Sequence, residues 1–297
     1  MTKTVAEVAP GDHALVVLDG DEQHWEVAAN YVAAGLTRHE KVMYLDGEHT
    51  KEPLLRRLRE DKLDVDRVLE TGQLVVWPTE AMVSFWEAAS VDWERTITQR
   101  LAGIADAITD ACAEGYDHVR LTNEPAAGLH RPVKLLCHGD QLAHELLLTH
   151  PATWLCQYER RHWSPSELEE LGRSHSVKVV APSLYDDELL RVTRCGPFSL
   201  RFAGEIDYSN REPVRTMIER ELQQALRATP QPEDVQIHLQ SLRFADVTSV
   251  TQLIHTVDNF PKSQQLVLQN AQPRIRRLFD RCGAASNDQL VIRETPN

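Results

Sequence analysis

Six short, unbroken apolar runs constrain this chain more than any other feature: ALVVLD from Ala14, KVMYLD from Lys41, QLVVWP from Gln73, HVRLTNE from His118, ATWLCQYE from Ala152 and VKVVAP from Val177. A strand with one wet face alternates apolar and polar residues. A run without alternation is covered on both faces, as parallel strands under helices are. The segments between the runs have helical spacing. Trp93, Ile97, Leu101, Ile104, Ile108 and Cys112 place one apolar stripe on a helix that ends at Gly115. Ser164 as N-cap, Pro165 at N1 and Glu167 as capping-box partner open another. Strand–helix alternation of this kind predicts a layered α/β domain with a mostly parallel sheet.

The pattern breaks at APSLYDDE, from Ala181, where a proline and an acidic cluster mark a boundary. The expected domains are therefore residues 8–182 and 189–297, and a length of 297 residues fits two. Behind the boundary, LRVTRCG and FSLRFAGEI predict a hairpin around Gly196-Pro197. A helix with Val214, Met217, Ile218, Leu222 and Leu226 on one face follows. Strand VQIHLQSL, a helix from about Thr248, strand QLVLQNA, helix RIRRLFDRCG and strand QLVIRE complete the chain. The order β-β-α-β-α-β-α-β predicts a small mixed sheet with helices on one side.

Charge and cysteine usage exclude several functions. From Ser183 onward there are 14 basic and 15 acidic residues, against 18 and 30 before it, so most of the net charge of −13 belongs to the first domain. An acidic surface repels phosphate backbones, and no nucleic-acid partner is expected. No run reaches the ~20 apolar residues of a membrane helix, and no signal-peptide core opens the chain, so the expected location is the cytosol, with no membrane contact. The five cysteines are odd in number and contain no CxxC pair, which argues against a disulfide framework or zinc finger. Cys137, His138, His144, His150, Cys156 and His162 cluster in one stretch and are of the types that hold zinc or haem. None shares a recognised ligand spacing, so they read as solvated or capping residues, and neither a metal nor a cofactor is expected.

The sharpest local signal is LQSLRFADVTSVTQLI, from Leu239. An apolar strand ends near Phe244, Asp246 follows, and Thr248 and Ser249 open a helix with apolar Val250, Leu253 and Ile254. Hydroxyls there sit beside unpaired N–H groups and the positive end of the helix dipole. A phosphate added there would be held by the same groups and would bring ~−1.5 to −2 charges to one tip. The plain alternative is that Asp246 or Thr248 serves only as an N-cap.

Over about 110 residues this half resembles the STAS domain of bacterial anti-sigma-factor antagonists and stressosome proteins. FAGEID (Phe202 to Asp207) is similar to the family's GEID/GELD strand end, and FADVTS to its F-x-D-[ST]-[ST]-G phosphorylation loop. The resemblance implies that Asp246 is the family aspartate, Thr248 the phosphorylated residue and Asp207 the acidic residue lining the same loop. Val247 stands in place of the first hydroxyl residue and Ser249 in place of glycine, which leaves Ser249 as an alternative acceptor. The implied partner is a GHKL-type serine/threonine kinase that acts as an anti-sigma factor, so the domain would regulate sigma-factor-dependent transcription in a bacterial stress response without catalysis of its own.

The first half resembles the MEDS (methanogen/methylotroph, DcmR-type sensory) domain over residues 8–182. The similar stretches are PGDHALVVLDGDEQ, YVAAGLTRHEKVMYLDGE, TGQLVV, EGYDHVRLTNE and LCQYERRHW. The resemblance implies a degenerate RecA-like, P-loop-type sheet. The first strand runs into GDEQHWEV, with no GxxxxGK[ST] and with Asp19, Asp21 and Glu22 where a phosphate would lie, so ATP hydrolysis is not expected. A pocket at the strand C-termini could take a small organic ligand. His13, Asp19, His24, Glu124 and Tyr158 lie at or near strand ends or in the family-like stretches and are its candidate lining; His24 reads equally as a structural histidine on an apolar helix face.

A sensory domain coupled to a phospho-switch is thus the leading expectation. A scaffold or adaptor of a stressosome-like assembly, with possible homo-oligomers, and a nucleotide-binding RecA-like domain are the alternatives.

Overall fold

A computed structural model describes residues 1–45, 51–61, 63–77, 87, 92–124, 132–181, 183–196, 198–228 and 232–293. Asp46, Pro78, Pro182, Pro197 and Glu294, which figure in the strand and boundary readings above, lie outside them. The chain divides into two compact units, Met1–Ala181 and Pro182–Asn297. Among the described residues no helix is long and apolar enough to cross a membrane.

The first unit is built on seven strands: β1 (Thr2–Thr4), β2 (His13–Leu18), β3 (Lys41–Leu45), β4 (Leu74–Trp77), β5 (Val119–Asn123), β6 (Ala152–Glu159) and β7 (Val177–Val180). They form one sheet in the order β1-β7-β2-β6-β5-β3-β4, and every pairing is parallel. The six apolar runs are β2 to β7. β1 was not expected: three residues of polar sequence carry no pattern, and the strand forms by pairing Thr2–Thr4 with Lys178–Val180. Strand β7 departs from the two-face burial read for it, since Lys178 and Val180 are exposed and only Val177 and Val179 are buried.

The helices of this unit are α1 (Asp21–Thr37), α2 (Glu52–Glu60), α3 (Val65–Glu70), α4 (Trp93–Ala113), α5 (Val133–Leu147) and α6 (Pro165–Arg173). The pleat sends successive strand residues to opposite faces. Val42 and Tyr44 meet Ala28, Val32, Leu54 and Leu58 of α1 and α2. Met43, Leu121, Trp154 and Cys156 meet Trp93, Ile97, Leu101, Ile104, Leu136 and Ala143 of α4 and α5. In α4 the stripe ends on buried Ala111, not on Cys112, which is exposed. From Trp93 to Ala111 the spacings are 4, 4, 3, 4 and 3, which keep the seam in line, and a step of four from Ile108 carries Cys112 past it. The α6 capping box forms as read: Ser164 Oγ accepts from Glu167 N at 3.3 Å and Glu167 Oε2 from Ser164 N at 2.8 Å.

Arg120 and Glu40 form a polar pair buried in this apolar setting. Arg120, fully buried on β5, donates from Nε to Glu40 Oε2 at 2.6 Å, and its guanidinium lies 4.6 Å over the Tyr31 ring. Gly35 makes room for it, since a Cβ there would lie 2.9 Å from Arg120 Cδ and 2.8 Å from Val42 Cγ2.

The second unit contains β8 (Tyr185–Asp186), β9 (Leu190–Gly196), β10 (Ser199–Ile206), α7 (Arg211–Leu226), β11 (Val235–His238), β12 (Leu242–Ala245), α8 (Val247–Thr256), β13 (Leu266–Gln269), α9 (Pro273–Arg281) and β14 (Leu290–Arg293). The sheet is mixed, ordered β14-β13-β11-β10-β9-β8, with β12 beside the far end of β10. β9 and β10 form the expected antiparallel hairpin, with Ser199 opposite Gly196. The single strand read from VQIHLQSL is two: β11 stops at His238, the chain turns, and β12 starts again at Leu242. Val214, Ile218 and Leu222 of α7, Val250, Leu253 and Ile254 of α8 and Ile275 and Phe279 of α9 all enter one core with Leu200, Phe202 and Ile237.

Candidate functional site

In the second unit, β10 and β12 run parallel and place Ile206 beside Ala245, with Asp246 N donating to Ile206 O at 3.0 Å. The two loops that follow, at Asp207 and at Asp246, therefore leave the sheet side by side. Asp246 is the N-cap of α8 and accepts from Ser249 N at 2.6 Å. Its other oxygen accepts from Arg211 Nη2 at 2.8 Å, and Arg211 Nε donates to Ser249 Oγ at 3.1 Å. Partial burial pushes the Asp246 carboxyl upward, but the Ser249 N–H, the Ser249 hydroxyl and the Arg211 guanidinium together hold it below the usual carboxylate range.

The two hydroxyls separate clearly. Ser249 is 1% exposed and tied to Arg211, whereas Thr248 is exposed and its hydroxyl makes no hydrogen bond among the described residues. The helix phase explains this: Ser249 shares the face of Val250, Leu253 and Ile254, and Thr248 sits one step outside it. Exposed Phe244 and Val247 precede Thr248 in sequence, and exposed Tyr208 lies in the neighbouring loop. Asp207 turns its carboxylate to its own loop, where Oδ1 accepts from Ser209 N at 2.8 Å and from Ser209 Oγ at 2.6 Å. Arg211, which the sequence reading missed, is the residue that links the two loops.

Replacing Asp246 by Ala should cost the second unit about 1 kcal/mol, the usual loss of an N-cap. The pH dependence has a fixed sign. The folded chain holds the carboxyl below its unfolded value, so the unfolded chain binds more protons between the two. The contribution is complete above the ordinary carboxylate range of about 4 and is lost as pH falls through the folded value. Urea unfolding from pH 7 downward should show this acid loss in the parent and a smaller one in D246A.

In the first unit the five candidate residues do not line one pocket. His24 and Glu124 come together on the face covered by α1: His24 Nε2 is 2.9 Å from Glu124 Oε1, and Nδ1 is 3.7 Å from Glu159 Oε1. Tyr44 donates to Glu124 at 3.1 Å. All four are buried, at the C-terminal ends of β3, β5 and β6 and in the first turn of α1, where an open α/β sheet binds its ligands. Tyr44 and Glu159 were not foreseen; their signal is position, each at or near the end of an apolar run.

His13 and Tyr158 lie on the opposite face, under α5 and α6. His13 Nε2 is 3.6 Å from Cys156 Sγ, and its ring centroid is 4.2 Å from that of His175. Tyr158 donates to Asp140 Oδ2 at 3.1 Å, and Ser174 Oγ to the same oxygen at 3.3 Å. Ligand-type atoms of His13, Asp140, Cys156 and His175 all fall within 4.8 Å of one another. Burial holds His13 well below the usual histidine range, assisted by His175 and His144, and holds the Cys156 thiol well above its own. Asp19 joins neither group: it is exposed and pairs with Arg160 Nε at 2.7 Å. Of the Cys/His stretch, only Cys156 enters the cluster. His138 is at the surface 3.3 Å from Glu94, and His150 Nδ1 lies 3.0 Å from Leu146 O.

The sequence model of the MEDS (MEthanogen/methylotroph, DcmR Sensory) domain matches residues 12–176, and that of the STAS domain matches residues 190–294. No curated protein matches the chain. Among solved structures, the flagellar accessory protein FlaH from Methanocaldococcus jannaschii is similar at 9% identity over 63% of this chain and 78% of that one, with a TM-score of 0.43.

Proposed function

Because this chain belongs to the MEDS family of sensory domains and continues into a STAS domain, we propose that it is a signalling regulator whose second unit is switched by phosphorylation at Thr248. The observation that carries this reading is the exposed Thr248 hydroxyl in the first turn of α8, without a hydrogen bond among the described residues, beside buried and occupied Ser249. A phosphate on Thr248 would meet the unpaired N–H groups and the positive end of the helix. The Arg211 guanidinium, already at this tip, adds a fixed positive charge. Exposed Phe244 near the end of β12, Val247 at the start of α8 and Tyr208 in the neighbouring loop offer apolar contact area to a partner. New charge amid such area is an effective way to change a partner's affinity.

The partner in this reading is a GHKL-type serine/threonine kinase that acts as an anti-sigma factor, so the output is sigma-factor-dependent transcription. The first unit binds a small organic ligand, for which the buried His24, Tyr44, Glu124 and Glu159 group at the strand ends supplies polar anchors. Incubation of the full chain with the cognate kinase and ATP, followed by phosphopeptide mapping, tests the switch. Label is expected on Thr248, with none on Ser249 and none on T248A. Absence of label on both residues would leave an adaptor without a phospho-switch.

A further inference from the structure

We propose that His13, Asp140, Cys156 and His175 of the first unit form a binding site for one divalent transition-metal ion of zinc's class. The inference goes beyond the signalling role and does not depend on it, since the site and Thr248 belong to different units.

The donor set comes first. Two imidazoles, one thiol and one carboxylate suit a borderline ion that takes four ligands tetrahedrally. Metal–ligand bonds of about 2.0–2.3 Å put tetrahedral neighbours roughly 3.3–3.8 Å apart. His13 Nε2 and Cys156 Sγ are 3.6 Å apart, and His175 Nε2 and Asp140 Oδ2 are 3.8 Å apart. The second separation is too long for a nitrogen–oxygen hydrogen bond, and both are right for two edges of such a tetrahedron.

The surroundings resemble an outer ligand shell. His175 Nδ1 donates to Leu171 O at 2.8 Å, which fixes the tautomer and leaves the Nε2 lone pair facing Asp140. That Nε2 is buried and has no hydrogen-bond partner among the described residues. Tyr158 and Ser174 both donate to Asp140 Oδ2 and orient its carboxylate. His144, stacked 6.1 Å from His13, has a buried Nδ1 that is also without a partner among the described residues. A packed interior seldom leaves several imidazole nitrogens unsatisfied side by side, and a cation among the four ligands would take up the lone pair of His175 Nε2.

The placement is rigid and accessible. His13 opens β2, Cys156 lies within β6 and Asp140 is on α5, while His175 sits in the three-residue connection between α6 and β7. His13, Cys156 and His175 are buried, while the Asp140 side chain is 12% exposed and marks the side from which an ion enters. Coordination by the thiolate releases the Cys156 proton to solvent.

The test uses the full chain, stripped with a chelator, and titrated with Co²⁺ and then Zn²⁺. One equivalent of Co²⁺ should give tetrahedral visible bands and a thiolate-to-metal charge-transfer band in the near ultraviolet, both erased by Zn²⁺. C156S should lose the charge-transfer band, and H175Q should weaken binding by at least about tenfold. H138Q, at the surface, should bind as the parent does. If C156S fails to fold, the parent spectrum and H175Q decide. No charge-transfer band in the folded parent, a band that survives in folded C156S, or unchanged affinity in H175Q would each overturn the site. None of these results bears on labelling of Thr248.

Discussion

The substitution R120A is expected to destabilise the first unit by about 3–5 kcal/mol, because it leaves the Glu40 carboxylate buried without its partner. Glu40 is 7% exposed and Arg120 is fully buried, so water cannot take over the lost hydrogen bonds. The guanidinium also covers the Tyr31 ring, and its stem fills the space that Gly35 leaves open. For a unit of this size the midpoint should fall by roughly 6–20 °C. All six tryptophans precede residue 182, so tryptophan fluorescence follows this unit in the full chain. The double variant R120M/E40Q should lose less than R120A, since no unpaired charge remains. A double variant as unstable as the single one would mean that packing, not charge, dominates the site.

The substitution G204A should cost the second unit at least about 3 kcal/mol, from backbone strain and a clash that cannot relax together. Gly204 has φ +116°, a region open to glycine and closed to side chains, and a Cβ there would lie 2.0 Å from the Leu189 carbonyl oxygen. The register of β10 against β12 shifts at this residue, and the shifted pairing sets Ile206 beside Ala245. The glycine of FAGEID thus positions the Asp246 loop from the far strand. Urea unfolding followed by circular dichroism should show the loss as a lower midpoint with an unchanged slope. A midpoint equal to that of the parent would show that the β9–β10 approach is not tight in solution.

The sheet of the first unit was legible because its strands are unbroken apolar runs, and such a run has few alternatives beneath two layers of helices. The α6 cap was legible because all its partners lie within four residues. β1 was not, for it is a strand only through its pairing with β7. The same division holds for the functional residues. Asp246 and Thr248 stand out locally, as cap and first-turn residue of one helix. The exposure difference between Thr248 and Ser249 was within reach as well, since Ser249 falls in line with Leu253 on the apolar stripe. Arg211 was not, because it reaches Ser249 across 38 residues. In the first unit the five candidate residues do not converge: the pleat sends His13 and Tyr158 to one face of the sheet and Glu124 to the other, where His24 of α1 meets it, and Asp19 stays at the surface. His13, Asp140 and Cys156 come from three elements and His175 from a connection, so no ligand spacing could announce them.

The most direct measurement is the affinity of the cognate GHKL-type kinase for the full chain with Thr248 free and with Thr248 phosphorylated. Phosphorylation should weaken binding by at least about tenfold, because it sets ~−1.5 to −2 charges amid the apolar contact area at the tip of α8. Equal affinity of the two forms would contradict a switch at Thr248.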